Sequence, residues 1–256
     1  MAGLGARSVL VTGANRGIGL ELVRQLLGKP DPPRWVFACS REPDGERAQE
    51  LRNLVSRYPN LVMVKLDATS STSVKDAAAC VENHLKGSGL NLLINNAGIF
   101  KDVALDMVDE EDMINGYKTN VIGPLLVSQA FLPLLRRAAQ GSSTKGLSCS
   151  RAAIVNISSA LGSIELVPLS YVKPAIPYRC SKAALNMLTK CQSVGYKEDG
   201  ILCTIIHPGW VKTDMGGQEA DLTVTESGQG ILDVLSKLRD EHNGAFLSWK
   251  GSKMPW

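Results

Sequence analysis

Tyr178-Arg179-Cys180-Ser181-Lys182 falls in a helical pattern, where a spacing of four puts the phenol and the ammonium on one face. A phenol with an ordinary pKa of about 10 is a poor acid-base catalyst at neutral pH. A neighbouring ammonium favours the phenolate and is expected to lower that pKa, so that Tyr178 can exchange a proton with a substrate oxygen. Tyrosine and lysine four apart are common in any helix, and the pair gains meaning only from what accompanies it.

A second group is the run Thr12-Gly13-Ala14-Asn15-Arg16-Gly17-Ile18-Gly19, entered from the apolar Val9-Leu10-Val11 and followed by Leu20, Val23, Leu26 and Leu27 at helical spacing. A strand, a glycine turn and a helix in that order aim backbone N–H groups and a positive helix end at a pyrophosphate. Glycine suits the turn because a Cβ would block the close approach of backbone and phosphate. Gly13, Asn15, Arg16, Gly17, Ile18 and Gly19 are therefore candidate cofactor contacts. The alternative is a plain strand-turn-helix connection, but the run opens a series of βα units, which favours a dinucleotide.

The next strand bears on which dinucleotide. An acidic residue at its tip would hold a ribose 2′-hydroxyl, whereas an arginine accommodates a 2′-phosphate. Val36-Phe37-Ala38-Cys39-Ser40-Arg41 has no acid there. Ser40 and Arg41, with Arg16 nearby, are expected to receive the phosphate, since a guanidinium matches phosphate geometry. NADP(H) is the expected cofactor. Each arginine alone reads equally well as a solvated surface residue.

The elements that must position these groups are legible as alternating patterns. Strands are expected at 8–12, 35–40, 61–66, 90–95, 152–158, 202–207 and 245–247, and helices at 17–27, 45–57, 73–85, 110–137, 177–196 and 225–238. Strands that are apolar on both sides and alternate with helices imply βαβ units. The expected fold class is α/β: a Rossmann-type doubly wound parallel sheet of about seven strands with helices on both faces. Residues 1–256 fit a single domain, because α/β folds often reach about 250 residues.

Composition narrows the function classes. Hydrophobic residues make up 44% and charged residues 21% of the 256, which is ordinary for a globular chain. The net charge of +3 is scattered without a basic run, so no nucleic-acid partner is expected. No apolar stretch approaches the roughly 20 residues of a membrane span, and Met1-Ala2-Gly3-Leu4-Gly5-Ala6-Arg7 is not expected to be a cleavable signal. Six cysteines without a Cys-x-x-Cys pair, and only three histidines, point to free thiols in the cytoplasm and to no metal site. Cys180, beside Tyr178, is either a redox-sensitive thiol or a helix filler.

Further motifs follow in a fixed order: Asn95-Asn96-Ala97-Gly98, Thr119-Asn120-Val121-Ile122-Gly123, Ser158-Ser159, Tyr178 with Lys182, and Pro208-Gly209. Together with the glycine turn they resemble the short-chain dehydrogenase/reductase family over almost the whole chain. His207–Gly217 and the ending Trp249–Trp256 are similar to the branch that holds the sniffer carbonyl reductases and the C-factor proteins.

The resemblance implies roles that spacing alone does not. Ser159, rather than Ser158, would hydrogen-bond the substrate carbonyl, Tyr178 would protonate it, Lys182 would bind the nicotinamide ribose, and Asn120 would hold a water leading to Lys182. Asp67 with Ala68 would meet the adenine, Asn96, Ala97 and Gly98 the adenosine ribose and the middle of the cofactor, and Pro208, Gly209, Val211 and Thr213 the nicotinamide end. Asn96 reads equally as a structural brace, and Asp67 as a cap for the following helix. One departure stands out: residues 161–176 make the interval from Ser159 to Tyr178 longer by several residues than the family's usual one. That segment either shapes the pocket or elaborates the surface.

The expected activity is reduction of an aldehyde, ketone or quinone by NADPH, with Tyr178 as proton donor and Ser159 supporting the oxyanion. The rivals are a silent NADP-binding sensor or signalling protein and an alcohol dehydrogenase working oxidatively. Ile99, Phe100, Leu161, Trp210 and Met215 are either pocket lining or core. Residues 210–224 are a candidate lid. By resemblance, a homodimer or homotetramer paired through the helices bearing Asn120 and Tyr178 is expected.

Overall fold

The computed structural model describes residues 3–171 and 173–256; Met1 and Ala2 of the leading segment, and Val172 of the extended interval, lie outside the described residues. Seven strands, β1 (Ser8–Thr12), β2 (Trp35–Ser40), β3 (Leu61–Lys65), β4 (Leu92–Asn95), β5 (Ala153–Ile157), β6 (Leu202–His207) and β7 (Phe246–Ser248), form one sheet. Its order is β3-β2-β1-β4-β5-β6-β7, and every pair is parallel. This is the expected doubly wound sheet in one domain. Winding reverses between β1 and β4, where open α/β sheets leave a crevice at the strands' carboxyl ends.

The helices are α1 (Gly17–Leu27), α2 (Gln49–Val55), α3 (Ser71–Leu85), α4 (Glu110–Tyr117), α5 (Gly123–Gln140), α6 (Ile176–Gly195) and α7 (Val224–Leu235). Alternation along the strands divides the core into two layers. Val9 and Val11 of β1 join Leu22, Val23, Leu26, Ile231 and Leu235 from α1 and α7 on one face. Leu10 joins Phe37, Leu93, Val74, Val127 and Phe131, against α3 and α5, on the other. Each such buried side chain stabilises the fold by about 1.5–3 kcal/mol relative to exposure.

Helix starts follow side-chain chemistry. Ser70 accepts from Ser73 N, Asp109 from Asp112 N, and Thr223 with Glu226 forms a capping box. Three expectations need correction. The helix expected over 45–57 is a 3₁₀ turn at Glu46–Ala48 followed by the short α2. The strand expected from Leu90 begins at Leu92, because Leu90 N donates to Leu134 O of α5 and Asn91 accepts from Ser8 N and Oγ. The helix expected unbroken over 110–137 is interrupted by a π-helical turn, Lys118–Ile122, centred on Asn120.

Candidate active site

The glycine turn is tightly built. Gly13 has φ +63°, and a Cβ on it would lie 2.9 Å from Ala97 Cα. A Cβ on Gly19 would lie 2.3 Å from Gly13 O and 2.6 Å from Asn96 Nδ2. Neither position admits a larger residue without moving backbone. Thr12 Oγ1 accepts from both Asn96 N and Ala97 N at 3.0 Å, and Asn96 Nδ2 donates to Thr12 O and Gly13 O. Asn96 thus acts as the structural brace, and Thr12, which sequence reasoning passed over, is its counterpart. Only the type of Thr12, a hydroxyl at the strand end, hinted at this.

Helix α1 has no side-chain cap at Arg16 and no acidic residue in its first turn. Its N–H groups and positive dipole end therefore stand free for an anion, and together with the Cβ-intolerant turn they fit a dinucleotide pyrophosphate. Arg41 is exposed beyond buried Ser40. Arg16 forms an ion pair with Asp214, so it is engaged rather than solvated freely. Asp67 does not cap α3, since Ser70 does; its carboxylate accepts from Thr69 N and Oγ1. Burial would raise the Asp67 pKa, but those hydrogen bonds and the Arg41 and Lys118 charges outweigh it and hold the group below its ordinary value. Ala68 is buried and packs where Gly123 has no side chain.

Tyr178 and Lys182 lie on the buried face of α6, and Lys182 Nζ is 5.5 Å from the Tyr178 ring centroid. Phe100 packs edge-on against Tyr178 with ring centroids 5.0 Å apart. Lys182 Nζ donates to Ile157 O at 2.8 Å. Gly162 allows the turn after Ser159 to press on α6, because a Cβ there would be 2.7 Å from Lys182 Cβ. Ser158 is used for packing, donating to Asn186 Oδ1 at 2.7 Å, whereas Ser159 Oγ accepts from Leu161 N and is close enough to the phenol to act on it.

The electrostatics differ from the expectation for Tyr178. Burial pushes its phenol up to about 12, against a smaller lowering by Ser159, so the group is protonated and neutral. Burial likewise pushes Lys182 down to about 8. For Tyr178 the cost of burying a phenolate therefore dominates, while the Lys182 ammonium is directed to the Ile157 carbonyl oxygen.

Asn120 sits in the π-helical turn, a common device at functional sites. Its Oδ1 accepts from Ile99 N, and its Nδ2 donates to Ile99 O and Ser181 Oγ, each at 2.9 Å. The amide is thus committed to protein partners and fixes the Gly98–Phe100 segment against α6. Gly98 packs beside it; a Cβ there would be 3.1 Å from Asn120 Oδ1 and 3.7 Å from Lys182 Nζ.

After β6, Pro208 O accepts from Ser227 Oγ, and Gly209 has φ +88°, a conformation that residues with a Cβ rarely adopt. Val211 bridges to Leu222, Trp210 Nε1 donates to Gly216 O, and Thr213 lies against Gly17. Residues 210–222 are therefore folded back on themselves beside the glycine turn. His207 was not singled out from sequence, yet its Nδ1 accepts from Ala160 N next to Ser159, and burial pushes it down to about 4. Cys180 is exposed, and all six cysteines are free. Among the described residues no group of side chains could hold a metal ion, and no helix is long and apolar enough to cross a membrane.

Fold and site together define an oxidoreductase of the Rossmann type, with a nucleotide cradle at β1 and a Ser-Tyr-Lys group at the carboxyl ends of β5 and α6's first turns. The family model for short chain dehydrogenase matches residues 7–222, and the chain belongs to that family. It is similar to the NADPH-bound carbonyl reductase from chicken fatty liver, at 59% identity and TM-score 0.94, covering 98% of this chain and 99% of that one. Carbonyl reductase Sniffer of D. melanogaster matches at 38% identity and TM-score 0.93, covering 98% and 100%. The C-signal protein of Myxococcus xanthus is 38% identical over 168 residues, 65% of this chain and 93% of that protein.

Proposed function

We propose that this chain is an NADPH-dependent carbonyl reductase acting on aldehydes, ketones or quinones, with Tyr178 as the proton donor. The observation that carries the reading is a buried, protonated Tyr178 beside both Ser159 and Lys182. A neutral phenol is the form needed to give up a proton, and its high pKa keeps it in that form until an oxygen gains negative charge.

NADPH, when bound, supplies the hydride. Gly13, Asn15, Gly17, Ile18, Gly19 and the free end of α1 would hold its pyrophosphate, and Ser40, Arg41 and Arg16 its 2′-phosphate. Asp67, Ala68, Ala97 and Gly98 would border the adenosine, while Pro208, Gly209, Val211 and Thr213 would border the nicotinamide. Ser159 donates from its hydroxyl to the substrate carbonyl oxygen and orients it toward Tyr178. Tyr178 gives its proton to the same oxygen as negative charge develops there. Lys182 keeps positive charge near that oxygen and would bind the nicotinamide ribose, and Asn120 would hold a water leading to Lys182. The similarity to two carbonyl reductases favours reduction over oxidation.

Self-association through the helices that flank Asn120 and through α6, which bears Tyr178, is supported by exposed Met113, Ile114 and Tyr117 on α4, Ile122 at the π-helical turn, and Met187 and Val194 on α6. Free thiols agree with a reducing, cytoplasmic setting. Light scattering on the purified chain tests the first of these.

The function is tested by titrating NADPH and NADH and by following NADPH oxidation with phenanthrenequinone and small aldehydes, with Tyr178→Phe alongside. Turnover that is lost in the variant while NADPH binding persists supports the reading. Tight binding without turnover on any carbonyl overturns it in favour of a sensor, and preference for NADH removes the roles given to Arg16 and Arg41.

A further inference from the structure

The interval that departs from the family's usual length is an ordered construction. Arg179, next to the proposed proton donor, is only 6% exposed and forms no ion pair among the described residues. A buried guanidinium requires acceptors, and here they are backbone carbonyls. Its Nη2 donates to Ser170 O and Lys173 O, its Nε to Pro174 O at 2.9 Å, and its face lies over the Tyr171 ring at 5.5 Å. All of these acceptors lie in the extended interval.

A second fastening comes from the far end of the chain. The main-chain oxygen of Trp256 accepts from Glu165 N at 2.8 Å and from Ser163 Oγ at 3.1 Å. Its ring rests against Phe246 of β7, with Lys190 of α6 over it. At the junction with α6, Ala175 N donates to Asp102 Oδ1, and Ala175 holds φ +44°, a left-handed conformation that a residue with a Cβ keeps only under constraint. Lys173, whose carbonyl Arg179 grips, extends its ammonium over the Trp210 ring at 5.5 Å. The interval is thereby joined to the segment after β6.

We propose that residues 162–176, Val172 apart, form a fixed wall of the substrate mouth, and that Arg179 and Trp256 are the positioning residues that hold it. Neither touches the reacting atoms. The wall carries exposed Ile164, Leu169 and Tyr171 and meets exposed Trp210, a combination suited to the apolar body of a bulky carbonyl compound. A small aldehyde reaches Ser159 and Tyr178 without it. The inference rests on the reductase reading for its substrate and on geometry alone for the wall.

The test compares Arg179→Met, which keeps the packing volume and removes the donors, with Arg179→Lys. Two readouts are taken: kcat and KM for phenanthrenequinone and for a small aldehyde, and cleavage of the folded protein by glutamyl endopeptidase after Glu165. In Arg179→Met, KM for the quinone should rise about tenfold with kcat and the small-aldehyde KM within about twofold, and cleavage after Glu165 should quicken. Arg179→Lys should recover part of both. Cleavage at the wild-type rate, or equal losses on both substrates, would overturn the proposal. Ser163→Ala, which deletes one tie to Trp256, should shift both readouts the same way and more weakly, and it serves where Arg179→Met does not fold. Proteolysis needs no turnover, so a failed reductase reading and a failed wall are told apart.

Discussion

Lys182 gives its ammonium to the carbonyl oxygen of Ile157, at the end of the strand that leads into Ser159. The lysine therefore does two things from one position. It ties α6 to β5, fixing Tyr178 relative to Ser159, and it leaves positive charge 5.5 Å from the phenol ring.

That arrangement dictates a pH profile. Burial brings Lys182 down to about 8 and lifts Tyr178 to about 12, so on raising the pH the lysine loses its proton long before the phenol does. Reductive kcat/KM should be level through neutrality and fall above about pH 8 as the ammonium disappears. Lys182→Arg should be slower throughout and lack this alkaline limb. A profile level to pH 10 in the wild type would contradict the assignment.

His207 should make stability fall in acid. Its folded-state pKa of about 4 lies below the ordinary 6.5, so the unfolded chain takes up a proton first as the pH drops. The stability is intact above about pH 6.5 and is lost as the pH falls through about 4, to a total of ~3 kcal/mol. His207→Asn keeps an acceptor for Ala160 N and removes the titration. Between pH 7 and pH 4.5, denaturant melts should show the wild type losing about 2–3 kcal/mol more stability than His207→Asn, and an equal loss in the two proteins would contradict the assignment.

Thr12→Val is expected to act at a distance from any ligand. It withdraws the oxygen that Asn96 N and Ala97 N share, leaving two half-buried donors unmatched at a cost of about 1–3 kcal/mol. Because Asn96 in turn holds Gly13, the NADPH affinity measured by fluorescence titration should weaken as well as the melting temperature.

Asp214→Asn should tighten NADPH. The carboxylate competes with a phosphate for Arg16, and both side chains are largely exposed, so the pair itself contributes no more than about 1 kcal/mol. A gain of a few-fold for NADPH and none for NADH is the expected pattern in parallel titrations. Equal effects on the two would show that Arg16 does not meet the 2′-phosphate.

Much of this was legible in the residues themselves. The apolar runs and glycine turn announced the strand order's repeating unit, because burial on both faces leaves strands without polar positions. Tyr178, Lys182 and Ser159 carried a type-and-order signal that folding then brought together. What escaped detection depends on contacts distant in sequence. Nothing local marks Thr12 as the partner of Asn96, His207 as the acceptor for Ala160, or Trp256 as a tie for Ser163. The reversed expectation for the Tyr178 pKa has the same origin: spacing places a charge nearby, but depth of burial is a property of the whole fold.

The π-helical turn at Lys118–Ile122 places a limit on redesign. The single residue it inserts turns everything before it by about 100° relative to α5. Deleting a residue there to obtain a regular, more regularly bonded helix would swing α4 around its own axis and carry Gly116 away from Pro177, against which its missing side chain lets it lie. The irregularity is thus the phase adjustment that lets one helix serve two neighbours, and straightening it would trade a working orientation for an ideal ladder.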